Sequence, residues 1–303
     1  NQDFGLAMQH VLIIGATGFT GRYVLDELSR SGRYDISLFV RDPAKLSFLP
    51  TASGRRVHYG TIEDIKALTA ALRGVEILVC TASLGFGHAP NLLQACHDAS
   101  VQRTIFFSTT AIFTRLNPPS KKLRLAAETA IQASGLDYTI LRPTMIYGAR
   151  GDRNIFRLIR YIDRMPIIVI PGRGHNLLQP VFVKDLAMAV RQILAEPSTI
   201  GKCYTLSGRD VIPFGDLVRY LASALERRRM YLHIPICLAT APLSVLNACG
   251  LRTPIKVEQI LRLQEDKTFS FDEAANDFGY APSSLAEVLQ AEVAEYLGDT
   301  GRA

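Results

Sequence analysis

Between the apolar run Val11-Leu-Ile-Ile14 and an amphipathic stretch lies Gly15-Ala-Thr-Gly18-Phe-Thr-Gly21. Glycines at this spacing bind phosphate when a buried strand precedes them and a helix follows. Gly15 permits the tight strand-to-helix turn, Gly18 lets the backbone approach a pyrophosphate, and Gly21 lets helix and strand pack closely. The helix N-terminus then offers unpaired N–H groups and a positive dipole end to the phosphate oxygens. The expected ligand is a dinucleotide, held by Gly15, Thr17, Gly18, Phe19, Thr20, Gly21 and Arg22.

The second strand decides which dinucleotide. An acidic residue about 20 positions on bonds the ribose hydroxyls in NAD-selective folds. Here the strand ends Phe39-Val40-Arg41-Asp42-Pro43. Arg41 can pair bidentately with a 2′-phosphate and stack on adenine, and Arg22 adds a second positive charge. Asp42 is the counter-signal, able to take the ribose hydroxyls and favour NAD. A third reading leaves Arg41 and Asp42 as caps of a loop. NADP(H) is the preferred expectation, with NAD(H) as the alternative.

These residues need a scaffold, and the pattern supplies one. Val11–Ile14, Ile36–Val40, Val57–Tyr59, Val75–Cys80, Thr104–Phe107 and Tyr138–Leu141 read as strands. Helical spacing runs over Phe19–Ser31, Ile62–Arg73, Ala89–Ser100 and Ser120–Ala133, the last ending near Gly135. Such alternation predicts right-handed βαβ units and an α/β, doubly wound parallel sheet (a Rossmann fold). After Gly148 the rhythm breaks. Arg153–Arg164 reads as a helix, Ile167–Ile170 as a strand and Pro171–Gly174 as a loop. Val181–Val183, the helix Asp185–Leu194 and the strand Cys203–Leu206 are expected to return to the main sheet. The expected division is therefore a dinucleotide-binding domain, 1–148 with 181–207, and a smaller, mostly helical region, 149–180 with 208–303, for substrate or partner.

Composition narrows the function classes. The chain has 303 residues, 48% hydrophobic and 20% charged, which excludes a disordered or fibrous protein. The net charge of +6 favours anionic partners, nucleotide phosphates among them. No DNA or RNA motif accompanies that charge, so nucleic acid is not expected. Lys121-Lys122 with Arg124, and Arg227-Arg228-Arg229, read as solvated helix faces. Cys80, Cys96, Cys203, Cys237 and Cys249 form no CxxC pair and predict buried thiols in a reducing compartment. The six histidines show no metal-ligand spacing, so no metal is expected. No run reaches the roughly 18 apolar residues of a membrane span. The start of the chain lacks the pattern of a signal peptide, so the cytoplasm is the expected location. The apolar segment 236–251 reads as core, with a partner-docking surface as the alternative.

Taken together these motifs resemble the extended and atypical short-chain dehydrogenase/reductase families over nearly the whole chain. GATGFTG is similar to their glycine motif, and Val40–Pro43 to the NADP-type ending of strand two. Gly74–Ala82 resembles their fourth strand, Phe107–Thr110 the segment ending in an active-site Ser or Thr, and Leu141–Gly148 the "RP…YG" strand. Val183–Ala187 resembles a later "V-D-D-A" element. The resemblance implies that Ile62, Thr81, Ala82, Thr109, Pro143 and Thr144 border the cofactor and that Thr110 hydrogen-bonds a substrate carbonyl. It is also compatible with a homodimer through the helices after strands four and five, the oligomeric state staying open.

One departure matters more than the matches. These families ordinarily place Tyr-x-x-x-Lys on the helix after strand five, the tyrosine moving the proton and the lysine lowering its pKa. No tyrosine lies between Tyr59 and Tyr138. Alignment through Ala126-Ala-Glu128 puts Ser120 at the tyrosine position and Arg124 at the lysine position. Arg124 can hold ribose hydroxyls but stays protonated, and Ser120 is too weak an acid to replace tyrosine unaided. Tyr147 on strand six is then a candidate for a displaced acid.

The segments Gly151–Phe156, Pro171–Gly174 and Gln179–Val183 resemble the atypical branch that includes the NADPH-binding accessory subunit of respiratory complex I. Members of that branch commonly lack the tyrosine. Two readings follow. In the first, the protein is an NADP(H)-dependent oxidoreductase or epimerase acting on a nucleotide sugar or another carbonyl compound, with Thr110, Arg124 and Tyr147 as its catalytic candidates. Arg153, Arg157 and Arg160, at helical spacing, would then bind a substrate diphosphate or simply face solvent. In the second, it is a non-catalytic NADP(H)-binding sensor, assembly factor or structural subunit.

Overall fold

The computed structural model describes residues 8–49, 53–148, 151–241, 257–299 and 301. Seven parallel strands form the central sheet: β1 Gln9–Ile14, β2 Tyr34–Val40, β3 Arg56–Tyr59, β4 Ile77–Cys80, β5 Arg103–Phe107, β6 Asp137–Pro143 and β11 Lys202–Leu206. Their spatial order is β11-β6-β5-β4-β1-β2-β3. The chain winds outward in both directions from the gap between β1 and β4, which is the topological switch point of such a sheet. Ligands of open parallel sheets bind at that point, beyond the carboxyl ends of the strands.

Both faces of the sheet are covered, which is why β1 reads as an unbroken apolar run. Val11 and Ile13 pack with Val24, Leu25 and Leu28 of α1 (Phe19–Ser31) and with Leu186, Val190 and Ile193 of α6 (Val183–Ala195). Leu12 and Ile14 face the other way. They meet Leu68 and Leu72 of α2 (Ile65–Leu72), Leu92 of α3 (Ala89–Asp98) and Ile131 of α4 (Pro119–Gln132). Cys80 and Cys96 lie in this second layer, where burial pushes each thiol up to about 12. They behave as small apolar residues there.

The remaining elements build a smaller layer around a third apolar cluster. It contains α5 (Ile155–Arg164), α7 (Phe214–Ala224), the helix Leu285–Asp299 and a parallel strand pair, β8 (Ile167–Pro171) with β13 (Met230–Ile234). Asp152 starts α5 by accepting hydrogen bonds from the backbone N–H groups of Asn154, Ile155 and Phe156 at 2.6, 2.9 and 3.1 Å. No helix among the described residues is long and apolar enough to cross a membrane.

Two sequence expectations change, and a third falls largely outside the described residues. Only α6 and β11 return to the main sheet. Val181–Phe182 instead forms β10, which pairs with β7 (Ile146–Tyr147), and α6 already begins at Val183. Arg227 and Arg229 do not lie on a helix face. Their guanidinium groups reach the end of α5, bonding Asp163 Oδ1 and the carbonyls of Ile162 and Asp163. Cations satisfy a helix C-terminus, where carbonyls lack partners and the dipole is negative. Finally, most of the apolar segment 236–251, together with Cys249, lies outside the described residues.

Candidate functional site: a dinucleotide crevice beside a polar cleft

At the switch point β1 runs into the glycine turn and then α1. Gly15 takes a left-handed φ of +86°, a conformation that side chains resist. A Cβ at Gly21 would lie 2.1 Å from the Gly15 carbonyl oxygen and 2.8 Å from Thr81 Oγ1. Gly18 caps α1 with no side-chain hydrogen bond, and the first turn of α1 holds no acidic residue. The turn therefore presents backbone N–H groups and an uncompensated dipole end outward. Its geometry fits the pyrophosphate of a dinucleotide. Thr81 at the end of β4 braces the opposite wall, its hydroxyl and its amide both donating to Ile14 O at 3.0 and 2.9 Å.

At the end of β2, Arg41 is exposed. The Asp42 carboxylate is engaged elsewhere. Its Oδ1 accepts from Ala44 N–H at 3.1 Å and caps the 3-10 turn Pro43–Phe48. The loop-cap reading thus describes Asp42, whereas Arg41 is exposed at the end of β2 on the side of Glu63, whose carboxyl is held below its ordinary range by its own backbone N–H, by Thr61 and, less, by His88 and Arg41. Arg22 takes another direction. Its guanidinium lies over the rings of Phe19 and Tyr23, 5.2 and 4.9 Å from their centres. It also lies 3.7 Å from a Cβ built on Gly151. Ile62 is half-buried, and its carbonyl accepts from Asn91 Nδ2 at 3.1 Å.

Farther along the strand ends, Thr109 caps the 3-10 turn Thr110–Phe113. Thr110 Oγ1 donates to Pro143 O at 3.2 Å, tying the end of β5 to the end of β6. Thr144 is buried, with its hydroxyl donating to Gln179 O at 2.6 Å. Above this line sits α4. Glu128, 3% exposed, receives Arg142 of β6 in a bidentate pair with contacts of 2.6, 3.1 and 3.2 Å. Arg124 and Ser120 lie one and two turns before Glu128 on the same helix face. Arg124 Nη1 donates to Ser120 Oγ at 3.1 Å, and the guanidinium lies against Gly85, just beyond β4. The two residues at the tyrosine and lysine positions therefore bond each other beside the strand ends.

Tyr147 lies elsewhere. Its ring is 1% exposed in the third apolar cluster beside Phe182, and burial pushes its phenol pKa upward. A ring enclosed this way packs the core, away from Ser120, Arg124 and the strand-end threonines. Arg157 and Arg160 line a groove on the outer side of α5 with Tyr161, Arg164 and Met165.

Sequence reasoning missed a polar cleft of about 220 Å³ whose floor includes Thr110 and Phe113 and whose opposite wall is Arg262 to Phe269. The wall closes over Phe113, whose ring meets Phe269 at 5.6 Å and carries Arg142 on its other contact at 5.6 Å. The wall residues are mostly polar and more than 150 positions from Thr110, so no local pattern marks them.

Comparison with known proteins agrees with this geometry. A model described as NAD(P)H-binding matches residues 15–158. Quinone oxidoreductase 2 of Escherichia coli strain K12 is 30% identical over 213 residues, covering 65% of this chain and 68% of that protein. The chain belongs to the extended short-chain dehydrogenase/reductase superfamily. Another relative in that superfamily is the Arabidopsis thaliana mitochondrial protein named NADH dehydrogenase [ubiquinone] 1 alpha subcomplex subunit 9. It is 24% identical over 286 residues, covering 88% of this chain and 70% of the relative. The superfamily fold is also that of a solved UDP-glucose 4-epimerase from Thermotoga maritima, with a TM-score of 0.76 at 16% identity. That match covers 96% of this chain and 100% of the epimerase. The protein thus carries the NAD(P)H-binding domain of the superfamily without its usual tyrosine.

Proposed function

We propose that the protein is an NADP(H)-dependent oxidoreductase or epimerase acting on a carbonyl compound, a nucleotide sugar being the leading class. The observation that carries this reading is the division of labour at the end of β2. Asp42 is spent on Ala44 N–H, while Arg41 remains exposed at the crevice. A guanidinium at that position suits a 2′-phosphate, whereas one oxygen of the Asp42 carboxylate is already taken up by the cap.

When bound, the reduced nicotinamide would supply hydride, and the protein's part is orientation, hydrogen bonding and exclusion of water. In this reading the glycine turn and the α1 N-terminus hold the pyrophosphate, and Thr81 and Ala82 flank it. Arg124, kept in place by Ser120 and by the Glu128–Arg142 pair along the same helix, holds the nicotinamide ribose. Thr110 donates to the substrate carbonyl oxygen after exchanging its bond to Pro143 O. Calorimetry with NADPH and NADH tests the cofactor choice, and equal or tighter NADH binding overturns it. NADPH oxidation with keto-sugars and simple carbonyls, repeated with Thr110→Ala and Arg124→Ala, tests the chemistry.

A second reading rests on Ser120. With no phenol at that position the chain would bind NADP(H) without turning over, as a sensor or a subunit of a larger assembly. Tight NADPH binding combined with no turnover on any carbonyl favours it.

A further inference from the structure

A carbonyl oxygen that becomes a hydroxyl must gain a proton, and the usual donor is missing. Four side chains are candidates to replace it. Ser120 is too weak an acid. Arg124 does not release its proton in the working range. Tyr147 is enclosed in the core. Lys121 Nζ already donates to Thr114 O at 2.5 Å. The cleft wall holds another amine, Lys267, which shares the cavity with Thr110.

The backbone fixes where Lys267 stands. Leu177 N–H donates to Asp266 Oδ1 at 2.8 Å, Lys267 N–H donates to Leu177 O at 2.8 Å, and Phe269 N–H donates to Gln179 Oε1 at 2.8 Å. Ser207 Oγ donates to Phe269 O at 2.7 Å. Gln179 O in turn accepts from Thr144, the residue after the end of β6. The wall is thereby strapped across the ends of β6 and β11, next to the Thr110–Pro143 contact.

Neighbouring carboxylates are occupied while the amine is not. Glu265 accepts from Thr114 Oγ1 at 2.6 Å and from Arg115 N–H at 2.7 Å, and Asp266 accepts from Leu177. Among the described residues, Lys267 Nζ forms neither an ion pair nor a hydrogen bond. Burial and the Arg262 charge bring its pKa down to about 8, with Glu265 opposing. The charged groups around the cleft are Arg115, Arg262, Glu265 and Asp266. Buried Arg262 Nε also lacks a hydrogen-bond partner, so the cleft suits a substrate bearing an anionic group.

We propose that Lys267 is the general acid of this site in reduction, and its general base in oxidation, acting on an anionic carbonyl substrate seated between Thr110 and Phe269. The assignment rests on the oxidoreductase reading above. As the carbonyl carbon gains hydride from NADPH, the C=O π pair closes onto oxygen, one Nζ–H bond breaks and an O–H bond forms. NADPH ends oxidised, the carbonyl ends as an alcohol, and the neutral amine regains its proton from water. The backbone N–H, not the side chain, makes the bridge to Leu177, so variants at 267 keep the strap.

Two measurements on the full chain test this. Competitive acetylation read by peptide mass spectrometry gives the titration midpoint of Lys267 without any turnover. A midpoint near 8 is expected, against about 10.4 for a free lysine, and an ordinary midpoint overturns the proposal. NADPH oxidation with dihydroxyacetone phosphate, acetoacetate and a UDP-4-keto-sugar gives the second. Lys267→Met is expected to lower kcat by about 100-fold or more, with NADPH affinity unchanged and partial rescue by added ethylamine. Undiminished kcat in Lys267→Met overturns the assignment alone. Wild-type protein that binds NADPH yet reduces nothing refutes the oxidoreductase reading and this assignment with it.

Discussion

Glu128 of α4 grips Arg142 of β6 through both carboxylate oxygens, the shortest contact being 2.6 Å. The pair is nearly solvent-free, with side-chain exposures of 4% and 18%. It joins the helix bearing Ser120 and Arg124 to the strand bearing Pro143. Removing Glu128 strands a buried guanidinium, a change that costs about 3 kcal/mol or more in comparable pairs. Glu128→Ala should therefore lose about that much stability in urea denaturation, whereas Glu128→Ala with Arg142→Leu should lose less. Thr110→Ala, which breaks one exchangeable contact, should leave stability within about 1 kcal/mol of wild type.

The glycine turn gives a sharper contrast. Gly21→Ala drives a methyl group into the Gly15 carbonyl and should weaken NADPH binding at least about tenfold, or 1.4 kcal/mol, while lowering stability. Gly32→Ala, also on α1's boundary, meets no atom within 4 Å and bears only the strain of φ +65°. It should cost about 1–2 kcal/mol of stability without changing affinity. Calorimetry and denaturation on both variants separate the two effects.

Cofactor choice turns on Arg41. Arg41→Ala should weaken NADPH binding by about 10- to 100-fold, the worth of a charge-assisted hydrogen bond to phosphate, and leave NADH binding unaltered. Asp42→Ala removes the cap on the 3-10 turn and should cost about 1 kcal/mol of stability without raising NADH affinity. Comparing the four affinities by calorimetry checks the assignment.

Glu292 predicts a pH effect far from the cleft. It is 2% exposed on the helix Leu285–Asp299, and both of its carboxylate oxygens lack hydrogen-bond partners. Burial, then the charges of Asp152 and Glu295, raise its pKa to about 8. The folded state therefore keeps a proton that the unfolded chain releases above about pH 4.3. Unfolding sheds that proton, so stability is full below this value and falls as pH rises toward 8, by up to ~1.4 kcal/mol per pH unit. Urea denaturation from pH 5 to 8.5 should show the decline in wild type and a flatter profile in Glu292→Gln.

Tyr147→Phe separates packing from chemistry. Its ring fills the third cluster and its hydroxyl has no role in the proposed proton transfer, so kcat should stay within about twofold, under 0.5 kcal/mol. A large loss of turnover with unchanged stability would return Tyr147 to the site.

Local pattern carried the half of the chain that winds the sheet. The span Phe19–Ser31 is legible because a glycine turn starts it, Gly32 ends it, and Val24, Leu25 and Leu28 repeat at helical spacing. Buried strands such as β1 announce themselves as continuous apolar runs. The helix predicted from Ile62 begins at Ile65 because the Asp64 carboxylate caps it by accepting from Ala67 N–H. What the sequence leaves open is pairing at a distance. Val181–Phe182 has the composition of a central strand, yet its partner is the two-residue strand Ile146–Tyr147. Lys267 stands among polar residues with no periodicity, and contacts distant in sequence bring it to Thr110: hydrogen bonds of its segment to Leu177, Gln179, Ser207, Thr114 and Arg115, and the Phe113–Phe269 ring contact.

The Gln179 side chain donates through Nε2 to Gly208 O and accepts at Oε1 from Phe269 N–H, both at 2.8 Å. One side chain thus rivets together segments that lie far apart along the polypeptide. Whatever fills the cavity under that rivet shares its free energy with the attachment of the whole rear wall, by mass action. Melting temperature therefore doubles as a ligand detector: compounds that occupy the cavity should raise it, and Gln179→Ala should blunt the rise.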